Sequence, residues 1–174
     1  MIRIRVDVTE FNAIVKALMV RGEDFTPAMK DIGDRLVGSV LENFKQQGRP
    51  ERWEPLKFST LVSRYIRGNR DRKKKRSVLV KGGTGFSAGF TRMLGQGKIL
   101  MDSGILRNSI HGQASRYGVV VGTNLVYSRI HQLGGKAGRG LRTKIPARPY
   151  LVIQDADYDY INKALMDYLL ERRG

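Results

Sequence analysis

Pro146 and Pro149 constrain this chain more than any other pair of residues. They fix φ at both ends of Ala147-Arg148 and hold the residues before them, Ile145 and Arg148, out of the helical region. The segment Ile145-Pro-Ala-Arg-Pro-Tyr-Leu151 therefore reads as a stiff, extended strap. It follows Tyr127-Ser-Arg-Ile-His131-Gln-Leu-Gly134-Gly and a Gly/Lys/Arg-rich connection. A strap of this kind positions other groups. It carries no recognisable chemistry of its own.

Either side of the strap, hydrophobic periodicity sets the elements. Ile2, Ile4, Val6 and Val8 alternate with Arg3, Arg5 and Asp7, which predicts a half-buried strand. Thr9 is placed to cap a helix over residues 10–20. Thr26-Pro27 supplies an N-cap and a first-turn proline. Met29, Ile32, Leu36, Val40 and Phe44 then repeat at helical spacing, predicting a long helix that ends near Gly48. Trp53 lies in a proline-punctuated turn and reads as a buried plug. Residues 55–60 lead into a helical fragment that dissolves into a basic run. Residues 69–97 read as loop, with glycines at 82, 83, 85, 89, 95 and 97 broken by Phe86, Phe90 and Met93.

Residues 109–114 and 116–123 predict a hairpin. Residues 127–133 predict a short helix closed by Gly134. Residues 149–153 read as a strand. Asp155 opens a last helix with a stripe through Ala156, Tyr160/Ile161, Ala164/Leu165 and Tyr168/Leu169. The expected class is α+β, a single domain over 1–174. A small mixed or antiparallel sheet packs with the long N-terminal-half helix and the C-terminal helix, and 64–97 forms an inserted basic, Gly-rich loop.

Composition narrows the chemistry. With no cysteine there are no disulfides, no thiolate nucleophile and no cysteine-type zinc site. No run of about 18 apolar residues and no N-terminal signal pattern is present, so neither a membrane partner nor secretion is expected. Lys and Arg number 32 against 16 Asp and Glu, a net charge of +16, and +7 of it lies within residues 64–76. Arg64, Arg67, Arg70, Arg72, Lys73, Lys74, Lys75 and Arg76 face only Asp71 there. A block of this kind attracts polyanions or acidic protein surfaces.

Four candidate sites fail on inspection. Gly83-Thr-Gly85-Phe-Ser-Ala88 follows Val78-Leu-Val80 and has Asp102 at nearly the spacing of a ribose ligand. It is discounted because no amphipathic helix is expected to begin at Ala88 and hold a phosphate. Gly97-Lys98 lacks the upstream glycine and the Ser/Thr of a P-loop. From Glu51 onward the carboxylates are scattered (Glu51, Glu54, Asp71, Asp102) until Asp155, Asp157 and Asp159, which open a helix and offset its dipole. His131 shares a helix face with Tyr127, and no carboxylate in 130–151 orients it as a base. The expectation is no active site, no cofactor and no metal. Arg148 is expected to make a bidentate contact to a carboxylate, in its own subunit or across a neighbour.

Four segments stand in a fixed order: Phe44-Lys-Gln-Gln-Gly48-Arg-Pro-Glu-Arg-Trp53-Glu-Pro-Leu56, Ile99-Leu-Met-Asp-Ser-Gly104-Ile-Leu106-Arg-Asn-Ser109-Ile, Val121-Gly122-Thr123 with the Tyr127 to Gly134 stretch, and the strap. Together they resemble the phage virion morphogenesis family, the tail completion proteins of Mu-like and related tailed phages. The resemblance covers roughly residues 10–172, with the spacing after Gly48 lengthened by Pro50-Glu-Arg.

The resemblance implies a non-enzymatic ring subunit, hexameric, at the tail top or neck of the virion and assembled in the host cytoplasm. It would complete the tail and enable head–tail joining, with the genome passing through. Implied partners are copies of itself and the neighbouring terminator, stopper or connector, and tail-tube proteins. Expected subunit or partner contacts are Tyr127, His131, Arg148, Pro149, Tyr150, Phe86 and Phe90. The 64–76 run is expected to meet DNA or acidic partners. Six copies of that run would over-neutralise the roughly 24 phosphates on about 40 Å of duplex, so part of it is expected to face acidic rings. The competing expectation is a sequence-independent nucleic-acid-binding protein acting through 64–76.

Overall fold

The computed structural model describes residues 2–7, 24–67, 78–80 and 84–171. The class is α+β, as the sequence predicts. Strand β1 (Ile2–Asp7) is followed by the long helix α1 (Thr26–Gln46), then α2 (Phe58–Arg67), α3 (Ala88–Gln96) and a single turn, α4 (Ile105–Asn108). The hairpin β2 (His111–Ser115) and β3 (Gly118–Thr123) comes next, then α5 (Ser128–Leu133). A small ribbon, β4 (Gly135–Ala137) and β5 (Thr143–Ile145), spans a 3-10 turn at Arg139–Leu141, and α6 (Asp155–Glu171) closes the chain. The predicted helix over 10–20 lies outside the described residues. Among those described, no helix is long and apolar enough to cross a membrane.

The main sheet is antiparallel with order β1-β3-β2. Its register sets Ile4 opposite Val121 and Val6 opposite Val119, so the alternation in β1 delivers its apolar side to the same face as β3's. Helix α1 covers that face at short range because Gly33 has no side chain. A Cβ there would lie 2.9 Å from Val119 Cγ2. Met29, Ile32, Leu36, Val40 and Phe44 are all buried, and α6 adds Ile161 and Leu165 to the same core. Burial of each such side chain stabilises the fold by roughly 1.5–3 kcal/mol.

The ends of α1 differ in how well the sequence foretells them. Thr26 is inside the helix rather than its cap. Phe25 occupies the cap position, its carbonyl taking the Met29 N–H at 2.9 Å, and Asp24 Oδ1 accepts the Thr26 N–H at 3.0 Å. At the other end Gln47 is left-handed (φ 60°) and the Gly48 N–H reaches back to Asn43 O at 2.9 Å, which satisfies a terminal carbonyl. A Cβ on Gly48 (φ 113°) would lie 2.7 Å from Trp53 N, so the turn into Trp53 requires glycine.

The expectation of a loop over 69–97, lacking a core of its own, is corrected over 88–96; residues 69–77 and 81–83 of it lie outside the described residues. Helix α3 does begin at Ala88, where Ser87 Oγ accepts the Phe90 N–H and caps it. Phe90 is fully buried among Phe58, Tyr65 and Phe86, with ring centroids at 5.3–5.7 Å. Gly89 passes close under Tyr65: a Cβ would come 2.6 Å from its hydroxyl. Aromatics contributed by α2 thus stabilise a helix whose glycines argue against it locally. Arg64 and Arg67, read as the start of the loop, belong to α2.

Candidate functional site

The strap crosses the end of α5 at Gly134, whose φ of 71° turns the chain and whose missing Cβ makes room. A methyl group there would lie 2.8 Å from Ala147 N and 3.1 Å from Ile145 O. The Arg148 N–H then donates to His131 O at 2.8 Å. Beyond that point the strand expected over 149–153 does not form. Side chains take the place of a ladder. Gln132 Oε1 accepts both the Tyr150 and Leu151 N–H groups at 2.9 and 3.0 Å, while Gln132 Nε2 donates to Leu151 O at 3.0 Å. Asn43 Nδ2 donates to Tyr150 O and Trp53 Nε1 to Pro149 O, each at 2.9 Å. Buried backbone polar groups need partners, and here three side chains from distant segments supply them.

Asn43 extends this clamp to a second polar cluster. Arg49 Nε donates to Asn43 Oδ1 at 2.7 Å, and Arg49 Nη2 to Ser39 O at 2.6 Å. Ser39 Oγ in turn donates to Asp157 Oδ2 at 2.6 Å. Asp157 is 1% exposed and also accepts the Gln154 N–H at 3.0 Å, the reciprocal half of a capping box, with Arg35 Nε 3.6 Å away. The acidic opening of α6 is therefore structural at Asp157, while Ala156, expected in the apolar stripe, is exposed. Tyr150 is fully buried and donates its hydroxyl to Ser128 O at 3.2 Å. Burial pushes its phenol up to about 12.

Arg148 lies within its own subunit, and its partners are carbonyls rather than the expected carboxylate. Nε and Nη2 donate to Glu54 O at 3.1 and 3.0 Å. Only 6% of the residue is exposed. Burial pulls its pKa down, opposed by the nearby Glu54 charge. His131 is half-buried, with Tyr127 edge-on at 5.9 Å. Burial, then the charges of Arg148 and Arg64, hold its imidazole below the usual value. Its Nδ1 is buried without a hydrogen-bond partner. Two cavities of about 250 Å³ each adjoin here, sharing Arg64, Leu100 and His131 as walls.

Of the expected contact residues, Tyr127, Phe86 and Pro149 keep exposed surface. Arg148, Tyr150 and Phe90 are buried in the subunit, so their contacts are internal. Arg64 Nε and Arg67 Nη1 each approach Asp102 at 3.6 Å, and Arg64 Nη1 donates to Lys98 O. Arg70, Arg72, Lys73, Lys74, Lys75 and Arg76 lie outside the described residues. Although a helix does begin at Ala88, the glycine pattern before it is not a dinucleotide fold: Leu79 bridges Phe86 antiparallel, and Ser87 occupies the cap. Among the described residues, no group of three or more His, Cys, Asp or Glu is placed to hold a metal ion.

Residues that sequence reasoning passed over do most of the positioning, namely Asn43, Ser39, Gln132 and Arg49, together with Asp157. A signal existed for two of them. Ser39 and Asn43 fall on the apolar stripe of α1 beside Leu36, Val40 and Phe44, and a polar group on a buried face implies a polar partner opposite.

The model of the phage virion morphogenesis family matches residues 6–90 and 87–170. The Mu-like prophage FluMu G protein 2 of Haemophilus influenzae is 31% identical over 142 residues, spanning 82% of this chain and 76% of that protein. No solved structure matches.

Proposed function

Because this chain belongs to the phage virion morphogenesis family, we propose that it is a structural subunit of the virion. It forms a ring at the tail top or neck, completes the tail and enables joining to the filled head, with the genome passing through the ring. The observation that carries this reading is the family match over nearly the whole chain. The polar groups of the strap support it, since they are engaged in holding backbone in place and none is arranged as an acid, base or nucleophile.

The same reading assigns contact with genome or acidic neighbours to the basic run. Arg64 and Arg67 already face Asp102, so that role falls to the cations from Arg70 to Arg76. A hexamer is the closed form that the family resemblance implies. Negative-stain imaging of the purified protein, alone and with tail proteins, tests the reading directly. Closed rings, together with tails that fail to join heads when the protein is withheld, are expected. A monomer under all these conditions, or particles that mature normally without it, overturns the reading.

A further inference from the structure

The two cavities around His131 form one cleft with an apolar floor and a cationic rim. Leu56, Leu100 and Ile145 line the floor. Exposed Lys57 and Lys144 supply the rim's cations; Arg64, which faces Asp102, and Arg148, which is buried against the Glu54 carbonyl, line the cleft behind them, with Glu54 and Asp102 as its carboxylates. Each lobe of the cleft encloses about 250 Å³. They are side-chain-sized. The buried Nδ1 of His131 adds a polar atom without a partner in the same place.

Elsewhere on the molecule, α6 carries the complementary surface. Tyr158, Asn162, Met166 and Leu170 fall four residues apart along its outer side and are all exposed, forming a ridge of the kind that packs into a groove. Tyr158, Met166 and Leu170 are 45%, 48% and 62% exposed. Beside them stand the exposed carboxylates of Asp155, Asp159, Asp167 and Glu171, with Lys163 the one cation described on the helix. No residue of α6 lines either cavity, so socket and ridge are separate surfaces of one chain.

We propose that the cationic cleft around His131 is the socket for the acidic outer ridge of α6 from a second copy, with Tyr158 entering between the rim cations. The proposal rests on the ring reading above. Copies that each carry +16 repel one another unless acidic surface meets basic surface, and this pairing supplies that match. Because the two surfaces differ, the contact is head-to-tail. Repeated head-to-tail contacts close into a ring when the rotation from copy to copy completes a full turn. A phosphate backbone meets the same rim charges but gains nothing from the apolar floor, which favours a protein occupant.

The absence of cysteine allows a clean test in the full-length protein. Lys144→Cys and Asp159→Cys proteins are prepared separately, mixed, and treated with a short bismaleimide. Cross-linked dimers are expected from the mixture and not from either protein alone. The double variant is expected to give a ladder ending at the ring number. Lys144→Glu and Asp159→Lys are each expected to weaken self-association about tenfold, with the combined reversal restoring most of it. If the mixture cross-links no better than the single proteins while the unsubstituted protein still forms rings, the socket is refuted and the ring reading stands. If the unsubstituted protein forms no closed assembly with or without tail proteins, both fall. Loss of duplex-DNA binding in Lys144→Glu with unchanged self-association also overturns the proposal, assigning the cleft to the genome.

Discussion

Replacing Gln132 by alanine removes one amide that serves three backbone groups at once. Tyr150 N–H and Leu151 N–H lose their acceptor and Leu151 C=O loses its donor. Tyr150 and Leu151 are 0% and 3% exposed, so none of these groups regains full hydration within the native fold. A buried polar group left without a partner costs about 1–3 kcal/mol. Gln132 itself is half-buried, and water entering the vacated space offsets part of the total. The expected net destabilisation is about 2–5 kcal/mol, a large share of the roughly 5–15 kcal/mol that holds a domain folded.

Urea denaturation followed by tryptophan fluorescence suits the measurement, because Trp53 donates to Pro149 O in the same strap. The midpoint should fall with the slope unchanged. Gln132→Glu, which keeps an acceptor but cannot donate to Leu151 O, should fall between the two. A Gln132→Ala loss of under about 0.5 kcal/mol, the range of an ordinary surface substitution, would refute the claim that side chains replace the missing strand ladder.

Further outcomes follow from the same geometry. Gly134→Ala places a methyl group 2.8 Å from Ala147 N at a φ of 71°, and the strain of about 1–3 kcal/mol should appear as a lowered Tm in calorimetry. Asp157→Ala removes the acceptor of both the Ser39 hydroxyl, which keeps only the bond it accepts from Arg49 Nη2, and the Gln154 N–H; a loss of about 2–4 kcal/mol in denaturant unfolding is expected, and a neutral result would remove Asp157 from the supporting network. His131 resists protonation when folded, so the unfolded chain binds the proton first as pH falls below 6.5 and stability drops. His131→Asn should lose less stability between pH 7 and 5.5 than the unsubstituted protein in parallel titrations. Tyr150 works in the opposite direction: its raised value, about 12 against 10, contributes stability that is complete below pH 10 and lost above it, a loss Tyr150→Phe should not show in alkaline melts.

The sequence by itself determined the elements whose signal is local and periodic. The β1 alternation, the buried face of α1, the hairpin, and the Gly134 stop all appear where the residue pattern places them. Spacing is enough in those cases, because one face of each element is buried against the core and the pattern repeats along it. The ordered motif segments, likewise, placed the chain in its family.

Tertiary structure alone decided three things. Helix α3 exists because Phe58 and Tyr65 of α2 surround Phe90, a contact invisible in a glycine-rich stretch read alone. Residues 149–153 are not a strand because Gln132, Asn43 and Trp53, up to 107 positions away, bond their backbone first. Arg148 was fixed in orientation by its prolines, but its partners, the carbonyls of Glu54 and Pro55, came from a turn some 94 residues earlier. Periodicity reports which face of a segment is buried. The identity of the group waiting on the other side depends on how the whole chain returns upon itself, and hydrogen bonds are decided by that meeting.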